Sequence, residues 1–268
     1  MTMAGLYIEG LALWAPALPG WDCARPALRG EASPAPAANA RPAPALLAAN
    51  ERRRAPDGVL VALEVAAAAV AMSGRPAASL PSVFSSAHGD LAVVDGLCSS
   101  LAADPLLLSP TRFHHSVHNA ASGYWAMATG CHAPSSAVAG YDCSFATGLL
   151  EAATQAMVDR TPVLLAAFDT DARGALASVN RSRGLLGVAL VLAPERSASA
   201  RFALDWQFEP GSGILPPLHS DAARSLAANA MADALPLFEA LAMAAPSTDI
   251  ALPLGLSGIL RLRTSHLP

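Results

Sequence analysis

The chemistry in this chain gathers between Ser109 and Ala167, a dense run of polar, Gly and Cys residues in an otherwise Ala-rich sequence. Its centre is Tyr141-Asp142-Cys143-Ser144. Before it, the short apolar run Ser135 to Tyr141 (SSAVAGY) follows Pro134 and reads as a buried strand. After it, Ser144 to Val158 reads as a helix with Phe145, Leu149, Ala152, Ala153 and Ala156 on one face. A strand that turns sharply into a helix N-terminus offers free N–H groups and a positive helix end. Many enzymes hold a nucleophile there and use the donors to stabilise an anion. Two side chains compete for that place. Asp142 is a carboxylate and cannot form a thioester. Cys143 is a thiol whose pKa a helix end can lower. A second cluster is His114, His115 and His118, with 114 and 118 at the i, i+4 spacing that metal ligands use. No acidic or Cys third ligand stands at a fitting distance, so no metal is expected. His118 and Asn119 are instead expected to hydrogen-bond locally.

The flanking segments must position this turn. Residues 116–130 read as a helix, with Val117, Ala120, Ala121, Tyr124 and Ala128 at helical spacing and Gly130 as the stop. Val163 to Phe168 reads as a second buried strand ended by Asp169. Upstream, Gly5 to Trp14 is a strand running into a turn at Pro16 and Pro19, and residues 20–45 read as an irregular loop. Glu51 to Pro56 is a charged turn, and Asp57 is expected to cap a core helix over Val59 to Met72. Ser79 to Ala87 contains a strand ending in His88-Gly89-Asp90. The helix Leu91 to Leu101 follows, with Leu91, Val94, Leu97, Cys98 and Leu101 on one side, and Asp104-Pro105 breaks it. Downstream, a loop over 170–184 carries Arg173, Arg181 and Arg183. Leu185 to Leu192 is a central strand, Arg201 to Phe208 a half-exposed antiparallel one, and Asp221 to Met243 a helix with Pro236 as its break point. Ile259 to Arg263 is a last short strand near an edge. Strands and helices alternate, which argues for a layered α/β fold.

The residues Ser109-Pro110, Asn119, Gly123, Gly130 and Pro134-Ser135 carry a resemblance to the N-terminal half of β-ketoacyl synthases of the thiolase superfamily. The match covers about residues 1–195. It is nearest to the ketosynthase-like N-terminal domains found with aryl polyene and related polyketide genes, a subgroup that includes chain-length-factor-like members. The resemblance implies an α/β, thiolase-like layered αβαβα fold, abbreviated in its C-terminal half. Residues 1–195 would form the ketosynthase-like half, and 196–268 a shortened portion packed on the same core. Counted without gaps, the family's nucleophilic Cys falls on Asp142. The His pair a condensing enzyme needs is not evident, since only His219 and His266 follow residue 195. The resemblance therefore implies a non-catalytic, chain-length-factor-like subunit with no catalytic residue of its own. It would partner a ketosynthase in a heterodimer, or form a homodimer. Acyl-carrier-protein-borne phosphopantetheine would be the substrate of the complex, and no cofactor would belong to this chain. The alternative is an active β-ketoacyl synthase using Cys143. By the same resemblance, Asn119, Tyr124, Trp125, Ser135, Ser136, Ala137, Val138 and Ala139 form the partner interface. Phe113 and Phe145, with Tyr124 and Trp125, are candidate tunnel wall or stops.

Whole-chain properties bound these readings. At 268 residues the chain is one large domain or two small ones and can bury a substantial core. Hydrophobic residues make up 53% and charged ones 14%, so some surface is expected to lie under a partner. A net charge of −4 gives no basic footprint for nucleic acid. The four cysteines lack paired metal spacing, and no cationic n-region precedes the first apolar stretch. Free thiols in a reducing, cytoplasmic setting are expected. Val59 to Met72 is too short to span a bilayer and contains Glu64, so no membrane span is expected.

Overall fold

A computed structural model of the chain describes residues 4–34, 41–243 and 245–268. The apolar runs assemble into one mixed sheet. Its strands are β1 (Ala4–Ala15), β2 (Leu18–Pro19), β3 (Ser82–Ser85), β4 (Ser135–Val138), β5 (Val163–Asp169), β6 (Leu186–Ala193), β7 (Phe202–Pro210), β8 (Thr248–Leu254) and β9 (Gly258–His266). The order is β4-β3-β5-β6-β1-β7-β9-β8, with β2 hairpinned onto β1. Strands β4, β3 and β5 run parallel, and every other pairing is antiparallel. Strands β5 and β6 are buried along their whole length, as their unbroken apolar sequences require of strands covered on both faces.

The helices are α1 (Trp21–Leu28), α2 (Ala49–Arg54), α3 (Asp57–Ser73), α4 (Leu91–Ala103), α5 (Pro110–His115), α6 (Ala120–Thr129), α7 (Ser144–Asp159), α8 (Asp221–Leu226) and α9 (Leu235–Met243). Side-chain alternation sorts the sheet residues between two cores. Phe84, Leu164, Ala166, Ala189 and Val191 pack under α3 and α6. Val83, Leu165, Ala167, Val188 and Leu190 face α7, together with Phe238 of α9 and Leu204, Leu252, Leu260 and Leu262 of β7, β8 and β9. Helix α7 touches β3 and β5 and also β8, from the opposite end of the strand order. The sheet therefore curls around α7 and α9, giving helix, sheet, helix and sheet layers. The outer face of β7-β9-β8 carries exposed ion pairs, Arg263–Asp249 at 2.7 Å and Arg261–Glu209. Among the described residues no helix layer covers it. Residues 196–268 supply β7, β8, β9, α8 and α9. Among the described residues no helix is long and apolar enough to cross a membrane.

Several local expectations need correction. The expected loop over 20–45 holds helix α1, because Ala24, Ala27 and Leu28 bury against the core despite Pro26; residues 35–40 of that loop lie outside the described residues. The charged turn at Glu51 to Pro56 is mostly the short helix α2. Asp57 does not cap α3. It is the first helical residue, and its Oδ1 accepts from Arg41 Nε at 2.6 Å, with Pro56 at the cap position. On α4, Leu91 and Leu97 are buried but Cys98 and Leu101 are exposed. The helix expected over 116–130 begins at Ala120, with α5 as a separate turn before it, and Gly130 closes it at φ 67° as expected. The chain between Asp221 and Met243 breaks before Leu235 rather than at Pro236. Proline sits in the first turn of α9, where its missing N–H costs nothing. The final strand β9 is nine residues long and lies inside the sheet; the edge belongs to β8.

Candidate functional site

The parallel strands β3, β4 and β5 deliver their C-terminal ends to one place, where α7 begins. The turn between β4 and α7 is over-determined. Ser144 Oγ accepts from Gly140 N at 3.0 Å and donates to Tyr141 O at 2.7 Å. A Cβ on Gly140 would stand 2.3 Å from Thr147 Oγ1 and 3.0 Å from Cys143 O, so a larger residue there would have to displace the Thr147 side chain. Tyr141 is held at φ 50°, a left-handed conformation that a bulky residue adopts only under constraint. Its ring is exposed and stands edge-on to His88, with centroids 6.5 Å apart.

This geometry separates the two competing side chains. Asp142 is exposed and lines a cavity of about 800 Å³ together with Arg181, Arg183, Asn229 and Asp233. Cys143 turns inward, is 9% exposed, and its Sγ accepts from Gly255 N at 3.4 Å. Burial pushes its thiol pKa up, and the nearby Asp233 and Asp142 push it the same way against the Gly255 N–H. No imidazole is among the groups bearing on it. Of the two C-terminal imidazoles, His266 rests edge-on against Phe202, and His219 belongs to a segment whose backbone N–H is tied to Glu239.

Two buried carboxyls that sequence reasoning missed support the turn. Asp169 accepts from Ser86 Oγ and Ala87 N, both at 2.8 Å, and burial raises its pKa to about 7. Asp233 accepts from Ala146 N at 3.0 Å, and burial raises its pKa to about 8. Asn229 Nδ2 donates to the carbonyls of Asp169, Arg183 and Gly184, which pins the segment before α9 to the end of β5. Asp169 is visible in sequence as a strand terminator. Asp233 lies 87 residues from its partner and carries no local signal.

The raised carboxyl pKa values fix a pH response. An unfolded Asp loses its proton near pH 4, whereas these two keep theirs until about 7 and about 8. Between those limits each pH unit costs the folded state on the order of 1 kcal/mol per group. The thermal midpoint is therefore expected to rise by several degrees on acidification from pH 8 to pH 6. The double variant Asp169→Asn, Asp233→Asn should lose most of that rise, which a melting series across pH will read.

The other expected site residues scatter. Ser135, Ala137, Ala139 and Asn119 are exposed, and Ser136 and Val138 half-buried, because β4 is an edge strand and not the buried one expected. Tyr124 and Trp125 need correction as partner contacts. Both are buried in the core beneath α6, with Tyr124 Oη 2.9 Å from His115 Nε2. Phe145 is wholly buried and stands edge-on to Phe238, with ring centroids 6.2 Å apart. Phe113 is on the surface. The three clustered imidazoles go to separate places: His114 is exposed, His115 meets Tyr124, and His118 Nε2 lies 2.8 Å from Ser86 O.

Residues 27–251 match the family model of the β-ketoacyl synthase N-terminal domain. The chain belongs to that family. The match runs past the first 195 residues and takes in most of the C-terminal portion. No curated protein matches the chain. Similar solved structures include the ketosynthase ApeO in complex with its chain length factor ApeC from Xenorhabdus doucetiae, at 20% identity and a TM-score of 0.72, covering 99% of this chain and 100% of that one. They also include the ishigamide ketosynthase/chain length factor, at 14% identity and a TM-score of 0.69, covering 99% and 100%. A third is AntDE:AntF, a type II polyketide synthase acyl-carrier protein in complex with its ketosynthase bound to the hexaketide, at 12% identity and a TM-score of 0.73 over both whole chains. At these identities the likeness shows the thiolase-like ketosynthase fold.

Proposed function

We propose that this chain is a chain-length-factor-like subunit without condensing activity of its own, paired with a Cys-bearing β-ketoacyl synthase in fatty acid or polyketide elongation of the aryl polyene type. The observation that carries the reading is the mouth of α7. It presents an acidic side chain outward at Asp142 and a buried thiol inward at Cys143, whose pKa burial raises, with Gly255, Asp233 and Asp142 as the groups bearing on it. Acyl transfer to sulfur needs a thiolate, and raising the thiol pKa removes it at neutral pH. A second observation supports a partner. Among the described residues strand β4 leaves its outer edge unpaired, and Val117, Met127, Tyr141 and Val158 are exposed apolar side chains. An open edge with exposed apolar groups invites pairing with another chain. An obligate contact there would bury upwards of about 2,000 Å². Acyl carrier protein would deliver its phosphopantetheine-borne chain to the complex, in the cytoplasm, where four free cysteines are at ease.

Thiol labelling separates this reading from an active synthase. Iodoacetamide should modify the exposed Cys23 and Cys98 first and leave Cys143 unmodified in the folded chain. Cerulenin should form no adduct on Cys143. A specific cerulenin adduct at Cys143, located by mass spectrometry, would favour catalysis through that thiol.

A further inference from the structure

The mouth of α7 already has an occupant. Helix α7 is sixteen residues long, and the N–H groups of its first turn have no intrahelical partners, which makes that end ready to bind an anion. Asp233 fills the position from the side of α9. Its Oδ2 accepts from Ala146 N at 3.0 Å. The residue is 2% exposed, and among the described residues its Oδ1 has no hydrogen-bond partner. The bonds from Asn229 to Asp169, Arg183 and Gly184 hold the preceding turn in place, so Asp233 is delivered to the helix end by a fixed support. Asp233 and Asp142 line the same cavity.

We propose that Asp233 is the endogenous occupant of the anion site at the α7 N-terminus, and that the cavity beside it consequently offers no free donor at Ala146 to an incoming oxyanion or thiolate. The Ala146 N–H, which would help hold such a group, is already committed to Asp233. Asp233 is thus a positioning residue: it closes the helix end from the side of α9 without itself touching a reacting atom. This deepens the reading of the elbow as silent by naming the group that keeps it so.

The test uses the chain alone. Asp233→Ala opens a carboxylate-sized space against the free N–H groups, and millimolar formate should refill it. Formate is expected to raise the thermal midpoint of Asp233→Ala and to leave that of the wild type unmoved. Asp233→Asn keeps the shape and an acceptor oxygen, so formate should leave its thermal midpoint unmoved, as in the wild type. The proposal is overturned if formate leaves Asp233→Ala unstabilised, or if it stabilises Asp233→Asn and the wild type by as much. Should Asp233→Ala fail to fold, Asp233→Ser, which also opens the space, is measured with formate in its place and decides in the same way. Neither readout needs a ketosynthase, so the proposal can fail while the partnership stands, and the reverse.

Discussion

Arginine in place of Ala137 should leave the chain folded and unable to hold a ketosynthase partner. Ala137 is exposed on β4, where it pairs with Phe84 of β3 on one side and, among the described residues, has no strand on the other. An edge residue of this kind contributes little to the fold of the isolated chain. Surface substitutions away from core, caps and strained backbone change stability by about 0.5 kcal/mol or less. In an assembly that adds a chain along this edge, the guanidinium would be stripped of water with nothing to pair it. An unpaired buried charge costs about 3–5 kcal/mol. That converts to a loss of association of 100-fold or more, at about 1.4 kcal/mol per tenfold. Size-exclusion chromatography of the co-expressed pair should show both chains eluting separately, with the melting midpoint of the variant alone unchanged. A complex that survives Ala137→Arg would place the partner on another surface.

Alanine at Gly10 should be far more damaging to the fold than its single methyl suggests. Strand β1 carries a register irregularity between Ile8 and Gly10, and helix α3 crosses it there. A Cβ at residue 10 would stand 2.0 Å from Ala69 O, 2.9 Å from Ala69 C and 3.1 Å from Ser73 Cβ. Two of those atoms are helix backbone, which cannot rotate aside. Relief requires α3 to lift from the sheet, and α3 buries eleven residues from Gly58 to Ser73. Overpacking a close-packed core typically costs about 1–3 kcal/mol and occasionally more. With backbone as the obstacle, about 3 kcal/mol or more is expected. Urea unfolding of Gly10→Ala should show a lower midpoint with an unchanged slope. A loss below about 1 kcal/mol would mean that α3 and β1 slide freely past each other.

How much of this was legible in the sequence follows from the range of each interaction. Strand β6 and helix α7 could be read because their burial is written in consecutive residues: eight apolar or glycine positions in the one, a periodic Ala and Leu face in the other. The elbow could be read because a β-strand, a tight turn and a helix start are local events. Strand β4 was legible as a strand but not as an edge, since its apolar composition suits either a core neighbour or an uncovered partner. Strand β8 was missed. Pro253 within it reads as a breaker, and only its edge position tolerates a residue without an N–H. Helix α1 was missed for a similar reason: Pro26 argues against a helix, and burial of Ala24, Ala27 and Leu28 overrides it. The interface roles given to Tyr124 and Trp125 came from resemblance, and the burial of both in this chain's core speaks against surface contacts there. Asp233 and Asn229 were out of reach. Their partners lie tens of residues away, and nothing adjacent to them marks a site.

Product formation by the reconstituted complex is the direct measure of whether this elbow is silent. This chain should be co-purified with the proposed ketosynthase partner, supplied with acyl and extender carrier proteins, and compared with complexes carrying Cys143→Ala or Asp142→Ala in this chain only. Turnover within about twofold of wild type in both variants is the predicted result, because the acyl chain rides on the partner's sulfur. Loss of turnover by about a hundredfold or more with Cys143→Ala, the scale expected when a nucleophile is removed, would contradict it and make this chain a condensing enzyme.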